Sequence, residues 1–101
     1  MGELLKRAQE MQQRLAELQK DLARRTAEGS SGGGMVTVVA TGELRILEIR
    51  IEPELLASGD RDMLQDLIAA VVNAALAAAQ RMVQEEMQRA AGPFQMMPGQ
   101  S

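Results

Sequence analysis

The sequence predicts an α+β fold: a long N-terminal helix, a small antiparallel sheet of two to three strands, and a long C-terminal helix. Three observations carry that prediction. Leu4, Ala8, Met11, Leu15, Leu18 and Leu22 recur in alternating steps of four and three, the seam of an amphipathic helix. The β-branched run MVTVVAT and the run LRILEIRIE flank a glycine, as two paired strands would. After Asp60 the apolar residues return to helical spacing. A chain of 101 residues has room for one core, so residues 1–92 are read as a single domain and residues 93–101 as a mobile tail.

The first helix is expected from about Glu3 to Arg25. At about 1.5 Å per residue it would be roughly 35 Å long, which is long for so small a domain. Part of it should project or pack on another chain. EGSSGGG follows, and its consecutive glycines must end the helix. A short strand over Thr26–Ser30 is compatible with the sequence here. Gly42-Glu43 reads as a two-residue hairpin turn with Gly at its first central position. The returning strand changes phase: Leu44 and Ile46 share one parity, whereas Leu47, Ile49 and Ile51 share the other. A bulge near Ile46 would reconcile them. Pro53 stops the strand, and PELLASGD reads as a turn-rich connector. Asp60 or a neighbour can cap the last helix, which should run to about Ala91, where Gly92-Pro93 is a stop signal.

Composition removes whole classes of function. With no Cys and no His, the chain lacks thiol nucleophiles, disulfides, Cys/His zinc sites and the usual neutral-pH general base. Phe94 is the only aromatic residue, so there is no stacking platform for bases. The glycines of GSSGGG enter a strand, and no Lys-Ser/Thr pair follows them as a phosphate loop requires. The acidic pairs Asp60/Asp62 and Glu85/Glu86 read as solvated surface. No cofactor, metal, small-molecule substrate or catalysis is expected. The N-terminus is charged from Glu3 onward, unlike a signal peptide. The run LIAAVVNAALAAA is shorter than the roughly 20 residues a spanning helix needs. A soluble cytoplasmic protein, not a membrane one, is expected.

Charge points to one region. The net charge is −3, but residues 1–28 carry a balance of +1, against −3 for residues 29–60 and −1 for residues 61–101. On the first helix Lys6 and Lys20 form one outer row, Arg7 and Arg14 another, and Glu3, Glu10 and Glu17 lie between. Glu3 to Arg7 and Glu10 to Arg14 have the favourable four-residue spacing, so a salt-bridge-laced solvated helix is the plain reading. If a polyanion binds, it binds on this helix.

The last helix points to a second copy of the chain. Leu64, Leu67, Ile68, Val71, Val72, Ala75, Leu76, Ala79, Met82 and Val83 make a broad apolar face. Ala70, Ala74 and Ala77 leave the opposite face small. Such a helix is expected between its own sheet and a partner, with Leu67, Val71, Asn73, Ala74, Ala77 and Ala78 at the interface. Asn73, the one polar residue of that run, should hydrogen-bond there.

Four pieces in this order resemble the YbaB/EbfC family of bacterial nucleoid-associated proteins. They are LLKRAQEMQQRLAELQKDL, GGGMVTVVATGELRILEIRIEPELL, DMLQDLIAAVVNAALAAAQ with its Asn73, and the closing GPFQMMPG. The resemblance covers most of the chain. It implies a homodimer with protruding, tweezer-like helices, binding of duplex DNA in the cytoplasm at the nucleoid, no catalysis, and a role near repair or recombination. The family has no residue motif for DNA contact that could be transferred. The candidates therefore follow from charge: Lys6, Arg7, Arg14, Lys20, Arg24 and Arg25, with Arg81 and Arg89 as outer positions. The alternative is an interaction scaffold that docks a protein on Leu4, Met11, Leu15 and Leu18 and leaves DNA alone.

Overall fold

A computed structural model describes residues 2–91. It has the α+β architecture, in the order α1 (Gly2–Arg24), β1 (Thr26–Ser30), β2 (Val36–Thr41), β3 (Ile46–Ile51), α2 (Pro53–Ala57) and α3 (Arg61–Ala90). The expected tail, and the expected Gly92-Pro93 stop, lie outside the described residues.

The short strand after α1 forms. β1 pairs antiparallel with β2 from Thr26↔Thr41 to Ser30↔Thr37, so β2 is central in the sheet order β1-β2-β3. The glycines between them close a hairpin. Gly33 and Gly34 take φ of 81° and 72°, a region open to Gly without steric cost. The Gly34 N–H donates to the Ser31 carbonyl at 2.8 Å, and the Val36 N–H donates to Ser31 Oγ at 3.0 Å.

The second hairpin differs from the expected two-residue turn. The Leu44 N–H donates to the Thr41 carbonyl at 2.9 Å and the Thr41 N–H to the Arg45 carbonyl at 2.8 Å. The loop therefore spans three residues, and it is Leu44, with φ of 65°, that takes the left-handed conformation. This is the pattern of a type I turn followed by a left-handed residue. Gly42 is needed for space instead, as shown below.

The phase change in β3 is a bulge next to Ile46, as expected. Val39 pairs with Glu48 and Ala40 with Ile46, leaving Leu47 as the extra residue. Its insertion puts Ile46, Ile49 and Ile51 opposite Ala40, Val38 and Val36, on one face.

PELLASGD also holds more than a turn. Pro53 starts α2 at a position where its missing N–H costs nothing, and α2 sends Leu55, 1% exposed, into the core. Asp60 then caps α3, accepting the Met63 N–H at 3.0 Å.

The core joins Val36, Val38 and Ala40 of β2 to Leu55 and to Val71, Ala75 and Ala79 of α3. Leu64, Leu67, Ile68, Val72 and Leu76 pack around it. By length and composition α3 could cross a bilayer, with mean hydropathy 1.4 over its most apolar 18 residues. Here its Val71, Ala75 and Ala79 row is spent on the sheet. α3 lies over β1 and β2; in β3, Ile51 packs against the core while the preceding apolar residues stay open. Ile46, Leu47 and Ile49 are 38%, 61% and 43% exposed, although Ile46 and Ile49 continue the face that is core in β2.

Candidate nucleic-acid interface

α1 is anchored most deeply at its base. Its one buried side chain is Leu22. Leu15 and Leu18 are half-buried, and Leu4, Ala8 and Met11 are exposed. The base is closed by a tight backbone crossing. The Gly42 N–H donates to the Arg25 carbonyl at 2.9 Å. A Cβ on Gly42 would stand 2.0 Å from the Leu22 carbonyl oxygen and 3.1 Å from Val83 Cγ2. The end of the helix thus seats on the β2–β3 loop, with Val83 of α3 beside the same glycine, and the side chains of its N-terminal turns are exposed.

Five of the candidate cations, Lys6, Arg7, Arg14, Lys20 and Arg24, lie on α1 and are exposed. Arg25 follows its last turn, whereas Arg81 and Arg89 are exposed on α3. The expected Glu3–Arg7 and Glu10–Arg14 pairs are not made. Among the described residues, none of Lys6, Arg7, Arg14, Lys20, Arg24 and Arg81 has a carboxylate oxygen within 4.0 Å. Arg7 and Arg14 line, with Glu10 and Met11, a shallow depression of about 190 Å³ on the outer helix.

Arg25 and Arg89 are different. Both reach one oxygen of Glu86: Arg89 Nη1 donates to Oε1 at 2.8 Å, and Arg25 Nη1 stands 3.5 Å from the same atom. The Glu86 side chain is only 21% exposed. Two candidates separated along the sequence are thus gathered at the junction of α1 and α3 by a carboxylate that reads, in sequence, as plain surface. Its position one turn after Val83 was the only available sign, and the sequence alone does not say that Val83 meets the base of α1.

Of the α3 positions expected at a dimer interface, Asn73, Ala74 and Ala77 are exposed and Ala78 is half-buried. Leu67 packs against the protomer's own core, and Val71 belongs to it at 3% exposed. Val71 is closed off within the protomer, where the α3 backbone runs against Gly29 of β1: a Cβ there would stand 2.8 Å from the Val71 carbonyl oxygen. Among the described residues there is no group of three or more metal-ligating side chains.

Residues 1–94 match the model of the YbaB/EbfC DNA-binding family. The chain belongs to that family. A nucleoid-associated protein of Pelotomaculum thermopropionicum is 46% identical over 99 residues, covering 98% of this chain and 93% of that one. A nucleoid-associated protein of Acetivibrio thermocellus is also 46% identical, covering 98% of this chain and 88% of that one. In fold, the chain is similar to the crystal structure of an uncharacterized protein, HP0035, from Helicobacter pylori. The TM-score is 0.62 at 21% identity, over 93% of this chain and 95% of that one. This YbaB/EbfC member thus has its family's DNA-binding assignment and a set of exposed α1 cations with no acidic partner.

Proposed function

We propose that the protein is a non-catalytic, nucleoid-associated DNA-binding protein of the bacterial cytoplasm that grips duplex DNA as a homodimer between its α1 arms. The observation that carries this reading is the set of unpaired cations on the outer side of α1. Phosphate contacts from Lys6, Arg7, Arg14, Lys20 and Arg24 position the protein and carry little sequence information. Sequence preference is therefore modest, and DNA shape supplies most of it. A place near repair or recombination fits such a binder.

The open part of β3, from Ile46 to Ile49, supports the homodimer. It lies on an edge strand, and its apolar side chains face solvent in one copy, an arrangement that invites pairing unless a partner covers it. Leu44, Ile46, Leu47 and Ile49 form the partner-facing set in this reading, with Asn73, Ala74 and Ala77 as the open α3 positions.

The test is fluorescence anisotropy of labelled duplex DNA over a salt series, with sedimentation of the same samples. Log affinity should fall linearly with log salt, with slope about −0.9 per phosphate neutralised. Replacing Arg14, Lys20, Arg24 and Arg25 together by Gln should weaken binding and flatten the slope while leaving the dimer intact. Unchanged affinity would remove α1 from the interface. An Ile49→Lys protein that still sediments as a dimer would remove β3 from the contact between copies.

A further inference from the structure

We infer that Glu86 is a built-in competitor for the DNA backbone, masking two arginines at the junction of α1 and α3 and thereby setting how tightly the protein binds. The inference rests on the DNA-binding reading above and adds a regulator of affinity to it.

The geometry is specific. Arg89 donates to Glu86 Oε1 at 2.8 Å and Arg25 lies 3.5 Å from the same oxygen. The arginine side chains are 73% and 45% exposed, whereas the carboxylate is 21% exposed. The cations are thus open to an incoming anion on their outer sides, and the acid that balances them sits beneath. A carboxylate pair of this kind is a charge-assisted contact, and a phosphate oxygen offers the same guanidinium an equivalent one. Glu86 and a phosphate therefore compete for the same donors.

The location matters as much as the chemistry. Arg25 directly follows the arm, and its carbonyl accepts the Gly42 N–H at 2.9 Å. A duplex lying along α1 would reach Arg25 and Arg89 at the root of the arm. Elsewhere on α1 the cations have no acidic partner within 4.0 Å among the described residues. The masking is therefore local to the root. It leaves the outer arm free to make first contact and charges the last contacts with displacing a carboxylate.

Glu86→Gln tests this, because it keeps a hydrogen-bond acceptor and the side-chain volume while removing the charge. Anisotropy titrations with the same duplex should show a steeper salt slope, by about 0.9 for each arginine released, equivalent to about eightfold tighter binding per arginine at 0.1 M salt. Arg25→Gln should weaken binding little in the native background and several-fold more in the Glu86→Gln background, since only there is Arg25 unmasked. Equal slopes and affinities for native and Glu86→Gln proteins, both of which bind, would overturn the masking alone. Weaker binding by Glu86→Gln would also overturn it, because the carboxylate would then be a strut for the arm. Absence of binding by either protein at low salt would overturn both this inference and the DNA-binding reading.

Discussion

Gly42→Ala should loosen the root of the arm. A Cβ at this position would lie 2.0 Å from the Leu22 carbonyl oxygen and 2.8 Å from its carbon, whereas ordinary contact begins at 3.4 Å. Backbone atoms, not a side-chain tip, must therefore retreat by more than an ångström. Two interactions sit on that crossing: the Gly42 N–H to Arg25 carbonyl hydrogen bond at 2.9 Å and the burial of Leu22, 1% exposed. Losing the first costs about 1 kcal/mol, and re-exposing most of the second costs about 2 kcal/mol. A total of about 3 kcal/mol should lower the midpoint of thermal unfolding by roughly 12–24 °C for a domain of this size. The assay is a circular-dichroism melt at fixed protein concentration, since any self-association makes the midpoint concentration-dependent. Gly32→Ala is the control, because a Cβ there meets nothing within 4 Å. A Gly42→Ala protein that melts as the Gly32→Ala protein does would refute the argument from close approach.

Two further changes separate local effects from solvated ones. Asp60→Ala removes the acceptor for the Met63 N–H at the start of α3 and should cost about 1 kcal/mol, read as a lower urea midpoint with an unchanged slope. Arg50→Gln breaks the contacts to Glu28 at 3.1 Å and Glu48 at 3.6 Å. All three side chains are more than half exposed, so its urea midpoint should move by less than Asp60→Ala moves it, with a cost under about 1 kcal/mol.

The regular elements were legible because each has a periodic signal. The seam from Leu4 to Leu22 marks α1, and the broad face from Leu64 to Val83 marks α3. The parity change in LRILEIRIE announced the bulge that the pairing of Ala40 with Ile46 makes explicit. Short-range chemistry also placed the Asp60 cap. What escaped the sequence depends on which surfaces meet. Gly42 looked like a turn residue, yet its role is to let the Leu22 carbonyl and the Val83 side chain come close to its backbone, and Leu44 takes the left-handed position instead. PELLASGD carried too few residues for a helical period to declare itself, so α2 was missed. The exposed α1 cations were visible as a charge pattern. Their lack of partners was not, because spacing permits Glu3–Arg7 and Glu10–Arg14 pairs without requiring them. The convergence of Arg25 and Arg89 on Glu86 is a tertiary fact, since it exists only once the end of α1 meets the end of α3.

Seating α1 on the single buried leucine at its root gives the arm a thermodynamic character of its own. Helices in proteins draw most of their stability from packing an apolar face on other elements, not from propensity alone. The turns around Leu4 and Ala8, with no core beneath them, should exchange their amide hydrogens through local fraying, while the amides of β2, paired on both sides, exchange only when the domain opens. Whatever the arm closes upon would therefore contribute to finishing the helix. Part of the interaction would be spent on ordering the arm, and the heat capacity and temperature dependence of binding would carry the signature of folding coupled to recognition.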